Sequence, residues 1–178
     1  MSNYDLAKLK FLVVDDNQHM RTLVKQILFA FGCKDIAESA DGAEALGELR
    51  MFVPDIVIVD WIMHPINGLE FVSMVRNAKD SANPYVPIIM LTGHTEREKV
   101  AEARDTGATE FLAKPLSARR LYERIINIVE NPRPFIRTKT YFGPDRRRHK
   151  NFDYRGTDRR QKDANVIEVS PIGQAMVQ

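Results

Sequence analysis

Apolar residues along the chain fall into short continuous runs separated by stretches with helical spacing. Lys10–Asp15 (KFLVVD), Asp55–Asp60 (DIVIVD) and Pro87–Thr92 (PIIMLT) are nearly unbroken, as expected of strands buried on both faces of a parallel sheet. Asp35–Ala40 is partly polar and predicts an edge strand, and Thr109–Ala113 predicts a fifth strand. Between them, Met20, Leu23, Val24, Ile27, Leu28 and Phe31 recur at helical spacing, with Gly32 at the stop. Asp41 and Glu44 open a second helix carrying Ala45, Leu46 and Leu49. The stretch Gly68–Ala78 predicts a third, with Leu69, Val72 and Val75 inward. Thr95 and Glu98 form a capping box for a fourth, and Ser117–Glu130 is a fifth, stopped by Asn131 and Pro132.

Five strand–helix repeats call for an α/β fold: a doubly wound parallel sheet with right-handed crossovers and helices on both faces. In such sheets chemistry gathers at the carboxyl ends of the strands. That rule brings Asp15 and Asp16 (strand one), Asp60 (strand three), Thr92 (strand four) and Lys114 (strand five) to one rim. Two unit charges ~4 Å apart repel by about 4 kcal/mol at an effective dielectric of about 20. Three carboxylates at one rim therefore need an offset, and a hard divalent cation with oxygen ligands, Mg²⁺, suits them. Singly, each of these residues is more often a turn former or a loop residue; their joint order makes the signal.

Net charge, +2 overall, is divided unevenly. Residues 1–132 carry 15 Lys+Arg against 19 Asp+Glu, whereas 133–178 carry 11 against 5. A mildly acidic body thus precedes a basic, Arg-rich C-terminal extension. Only one cysteine, Cys33, is present, which excludes an internal disulfide framework and suits a reducing compartment. The first residues lack an apolar signal region, and no apolar run could span a bilayer. The expected location is the cytoplasm, without a transmembrane segment.

VVDD at 13–16, VDWIMHPINGLEF at 59–71, IIMLTG at 88–93 and FLAKP at 111–115 make residues 8–131 resemble the receiver domain of two-component response regulators, closest in layout to stand-alone chemotaxis-type receivers. The resemblance implies a flavodoxin-like (βα)₅ fold with strand order 2-1-3-4-5. It also implies that Asp60 takes a phosphoryl group from a histidine kinase or phosphotransfer protein. Asp16 and Asp60 would bind Mg²⁺ directly, Asp15 through water, and the backbone carbonyl of Ile62 would add an oxygen. Thr92 and Lys114 would hold the phosphoryl oxygens, Lys114–Pro115 would be cis, and Thr92 and Phe111 would form the switch. A downstream protein target would read it from the fourth helix, fifth strand and fifth helix. Beyond its own phosphoryl transfer and dephosphorylation, such a protein is not an enzyme, and no organic cofactor is called for.

Some features depart from the family pattern or stand outside it. His64 lies between Met63 and Pro65, where the family often has proline directly after the methionine; Gly68 still follows Asp60 by eight residues. Ile62 and His94, two positions past the acceptor and the threonine, flank the expected path of attacking water. Loop 79–85 is long for the family, either a recognition element or a surface extension. Tyr122, Ile126 and Val129 broaden the apolar stripe of the fifth helix, so the extension, a partner or a second copy in a homodimer would cover it. In the extension, 132–178, G-x-D-R-R occurs at Gly143 and again at Gly156, interleaved with Tyr141, Phe142, Phe152 and Tyr154. This reads as a largely irregular, flexible tail that docks on a partner or on its own receiver, with a short strand at Asn165–Ser170. The alternative is DNA or RNA binding through basic and stacking residues, although Asp145, Asp153 and Asp158 dilute the charge. A phosphohydrolase of the D-x-D-x-T type is disfavoured, because Asp15-Asp16-Asn17 lacks that spacing.

Overall fold

The computed structural model describes residues 5–93, 105–146 and 165–169. A 3₁₀ turn, Leu6–Lys8, leads into a five-stranded sheet of β1 (Lys10–Val14), β2 (Asp35–Ser39), β3 (Ile56–Asp60), β4 (Ile88–Thr92) and β5 (Glu110–Ala113). All pairings are parallel and the order is β2-β1-β3-β4-β5. The described helices are α1 (Gln18–Ala30), α2 (Gly42–Met51), α3 (Gly68–Asn77) and α4 (Ala118–Glu130). The last is the fifth helix of the sequence reading; the one expected from Thr95, together with His94, lies outside the described residues.

Alternation along the strands splits the core into two layers. Phe11, Val13, Ile58, Ile89, Leu91 and Leu112 face α1 and α4 through Val24, Leu28, Leu121 and Ile125. Leu12, Val14, Val57, Val59, Ile88 and Met90 face α2 and α3 through Ala45, Leu49, Phe71, Val72 and Val75. β2 is an edge, as its polar sequence predicts. Helix starts follow the sequence as well. The Asp41 side chain accepts from the N–H groups of Ala43 and Glu44, Asn67 and Glu70 close a capping box on α3, and Ser117 caps α4. Leu23, expected on the buried stripe of α1, is instead 39% exposed; the stripe centres on Val24 and Leu28, one turn apart.

The broad stripe of α4 is covered from within. Tyr122 packs edge-on to Phe31, with ring centroids 5.3 Å apart, and Ile126 and Val129 lie against the first core layer. Tyr122 nonetheless stays 36% exposed.

The extension contains more regular structure than the sequence indicates. β6 (Phe135–Arg137) and β7 (Phe142–Pro144) form an antiparallel hairpin, and β8 (Asn165–Ile167) pairs with the other side of β6. Only β8, within the stretch from Asn165, was legible in advance. Phe135 and Phe142 are 3% and 4% exposed and pack edge-on to Tyr85 at 5.3 and 5.6 Å. Burial of each phenyl ring contributes about 1.5–3 kcal/mol relative to exposure. The long loop 79–85 is thus the seat of the extension. Phe142 and Tyr141, expected as stacking residues, are engaged here, since Tyr141 Oη donates to Pro144 O at 2.7 Å. Phe152, Tyr154 and the second G-x-D-R-R lie outside the described residues. No described helix is long and apolar enough to cross a membrane.

Candidate functional site

Four of the five strands lead into a residue of the predicted rim. β1 runs into Asp15 and Asp16, β3 ends in Asp60, β4 ends in Thr92, and Lys114 follows β5. Strand register fixes their heights, with Asp60 beside Leu91 and Thr92 beside Ala113. The carboxylates of Asp15, Asp16 and Asp60 come together with one oxygen from each within 4.8 Å of the others. Asp15 and Asp60 are buried and Asp16 is exposed, so the cluster opens to solvent on one side.

The local backbone holds these groups in place. The Asn17 N–H donates to Asp15 Oδ1 at 2.9 Å, and Arg21 Nη1 donates to the Asp15 carbonyl at 2.7 Å. Asn17 also caps α1, its side chain accepting from the N–H groups of His19 and Met20. Behind Asp60, the N-terminus of α3 packs directly on the strand. A Cβ placed on Gly68 would stand 2.3 Å from the Asp60 carbonyl oxygen, so only glycine permits this approach. Gly68 N–H donates to the Trp61 carbonyl at 2.9 Å, which fixes the loop after the acceptor. The eight-residue spacing is the sequence sign of this contact; Arg21 left none.

Lys114 supplies the positive charge. Its Nζ lies 2.9 Å from Asp60 Oδ1 and 3.6 Å from Asp15 Oδ2, while its backbone N–H donates to the Thr92 carbonyl at 2.8 Å. Burial pushes the Asp15 carboxyl above its ordinary range. The Asn17 N–H pulls it back, repulsion from Asp60 raises it again, Lys114 lowers it and Asp16 raises it.

A hard cation fits this donor set. Asp15 Oδ2 is buried without a hydrogen-bond partner, a costly arrangement for a carboxylate, and two further carboxylates face it from within 4.8 Å. Oxygen-only donors open to water on one side are the chemistry Mg²⁺ selects. The three aspartates are the residues that would hold such an ion.

The remaining expected residues surround the cluster. Thr92 is buried at 2% exposure. Phe111, opposite Met90, is partly buried against the second core layer. The Ile62 side chain is 54% exposed, Met63 is buried, and His64 is exposed. Lys114–Pro115 is cis, as the resemblance implies, and His64–Pro65 is cis too.

Comparison with known proteins agrees with this geometry. The sequence profile of the response regulator receiver domain matches residues 11–126. Chemotaxis protein CheY-3 of Vibrio cholerae is 33% identical over 122 residues, covering 68% of this chain and 92% of that protein. Chemotaxis protein CheY of Pseudomonas aeruginosa is equally similar, with 68% of this chain and 97% of that protein covered. Among solved structures, the response regulator CheY4 of Vibrio cholerae superposes with a TM-score of 0.62 at 35% identity, over 67% of this chain and 98% of that one. By sequence profile, by sheet order and by these relatives, the chain belongs to the response regulator receiver family of two-component signalling.

Proposed function

We propose that Asp60 is a phosphoacceptor and that residues 8–131 form the unit that carries it. One observation supports this most directly: a buried carboxylate at the end of β3 has Lys114 Nζ 2.9 Å from Oδ1 and the other two aspartates close by. Phosphoryl transfer asks the protein for positioning and charge neutralisation more than for covalent machinery. An Asp60 carboxylate oxygen attacks phosphorus as the bond to the donor's imidazole nitrogen breaks. The nitrogen keeps the electron pair, and the product is an acyl phosphate. Lys114 and the Thr92 hydroxyl receive phosphoryl oxygens, and Asp16, Asp60 and the Ile62 carbonyl would hold the cation directly, with Asp15 acting through water. Bound there, Mg²⁺ neutralises charge on the entering group.

The donor is a phosphohistidine on a kinase or phosphotransfer protein, and the output is a contact with a protein target. Added charge and acceptor oxygens at Asp60 draw Thr92 toward them, and Phe111 on β5 fills the space behind it. Incubation with acetyl phosphate and Mg²⁺, followed by electrophoresis in a phosphate-binding gel, tests the reading. A retarded band absent from Asp60→Asn supports it, and an unshifted wild type refutes it.

A further inference from the structure

Short strand β5 is gripped at both ends. At its carboxyl end Lys114 reaches Asp60 at 2.9 Å. At its amino end Glu110 is fully buried, and its carboxylate accepts from Arg133 at 2.6 Å, Asn127 at 2.8 Å and Arg124 at 3.3 Å. Arg133 belongs to the extension. Four residues at about 3.3 Å each, ~13 Å of one edge strand, separate the two grips.

The hairpin closes on the turn that feeds β5. Arg146 Nη1 lies 3.2 Å from Asp105 Oδ1, and its guanidinium stacks on Tyr141 at 4.0 Å. Gly107 and Gly143 meet backbone to backbone. A Cβ on Gly143 would come within 2.9 Å of Gly107 Cα, and one on Gly107 within 3.1 Å of the Phe142 carbonyl. Arg76, buried on α3, joins the parts. Its Nε donates to Gly107 O at 3.1 Å and its Nη1 to Pro84 O at 2.8 Å, and its guanidinium lies 5.1 Å from the centroid of the Phe135 ring. No slack remains between hairpin and turn, and a contact packed this closely gives way by separating rather than by deforming.

We propose that the β6–β7 hairpin is an autoinhibitory clamp: docked on Asp105–Glu110, it holds β5 where Lys114 pairs with the bare Asp60 carboxylate, and phosphorylation of Asp60 releases it. A phosphoryl group on Asp60 requires Lys114 to follow oxygens farther out, and that displacement pulls on a strand whose other end is fixed to the extension. Linkage makes the effect reciprocal, so hairpin release favours phosphoryl uptake. The inference rests on the phosphoacceptor reading above.

Two substitutions in the extension, remote from the rim, test it in the full chain. Gly143→Val drives a side chain into both the Tyr141 ring and Gly107, and Arg146→Glu sets like charge against Asp105. Each protein is treated with acetyl phosphate and Mg²⁺, and intact mass and backbone amide exchange over 133–146 are read from the same samples. Both variants are expected to exchange faster in that segment and, at limiting acetyl phosphate, to reach a ratio of adduct to unmodified protein about fivefold higher or more, the lower end of common coupling strengths. Phosphorylated wild type is expected to exchange faster over 133–146 than unmodified wild type. Equal exchange in fully phosphorylated and unmodified wild type overturns the clamp and leaves the acceptor reading intact. Unchanged uptake in a variant whose hairpin exchanges freely also overturns it. Absence of any adduct in wild type defeats the acceptor reading, and the clamp with it.

Discussion

Asp60 ends β3 and Lys114 follows β5, with β4 lying between those strands, yet Lys114 Nζ stands 2.9 Å from Asp60 Oδ1. The lysine spans the top of β4, where Thr92 ends the strand and accepts the Lys114 N–H. Cation, hydroxyl-bearing residue and carboxylate therefore stand in a row set by sheet order. Removing one preorganised charge from such a row typically costs 10²–10³ in rate. Lys114→Ala is expected to slow adduct formation by about 100-fold, read as initial rate by intact mass. A rate within threefold of wild type would be unexpected.

Divalent ion binding has a built-in reporter. Trp61 is the chain's one tryptophan; it follows Asp60 directly and is 9% exposed. Titration with Mg²⁺ is expected to change its fluorescence and EDTA to reverse the change. Asp16→Asn, which removes the exposed carboxylate of the cluster, should weaken the apparent affinity about tenfold or more. Equal titrations for the two proteins would remove Asp16 from the ligand set.

Ile62 stands two residues past Asp60 with its side chain 54% exposed. An apolar group at this position is expected to keep water from an acyl phosphate on Asp60. Ile62→Asn is expected to shorten the life of the phosphorylated state, measured as adduct decay after the donor is removed. Equal lifetimes would deny the side chain this role.

Gly68→Ala would push a methyl against the Asp60 carbonyl, which lies 2.3 Å from the Cβ position. Overpacking of this kind costs about 1–3 kcal/mol. The urea midpoint should fall accordingly, and adduct formation should slow because the acceptor is displaced. A variant of wild-type stability would show that α3 can move away freely.

Cys33 gives stability a dependence on alkaline pH. Burial pushes its thiol up from 9.0 to about 11, against a smaller lowering by a backbone hydrogen bond. The unfolded thiol ionises above pH 9 while the folded one keeps its proton to about pH 11. Ionisation thus favours the unfolded chain across that window, and stability falls as pH rises through it. Over two pH units the loss attributable to this group is at most about 2–3 kcal/mol. Arg76, pushed down by burial to about 9 yet charged at neutral pH, acts in the opposite sense. The comparison is therefore wild type against Cys33→Ala in urea at pH 8 and pH 10.5. A smaller decline in the variant is expected; parallel declines would contradict it.

The sheet and its rim were readable because β1, β3 and β4 are unbroken apolar runs that lead into polar residues, and register then dictates where those residues go. The spacing from Asp60 to Gly68 and the opening residue Asp41 were equally visible, whereas Ser117, read as the first residue of its helix, is its cap. The hairpin was not. β6 and β7 are three residues each, too short for alternation to show, and their arginines and aromatics resemble a solvated binding tail. What fixes them is tertiary: Tyr85 between two phenyl rings, and Glu110 awaiting a cation from 23 residues away. Arg76 gave no sign in the sequence for a similar reason: a charged residue on a helix ordinarily faces outward, whereas two backbone carbonyls and a ring hold this one inside.

The most direct test of the central claim is to locate the modified residue. After treatment with acetyl phosphate and Mg²⁺, borohydride converts an aspartyl phosphate to homoserine, which peptide mass spectrometry can place in the chain. The expected result is homoserine at position 60 and nowhere else, and none when Mg²⁺ is withheld. Homoserine at position 15 or 16, or none at all from a folded protein, would contradict the account.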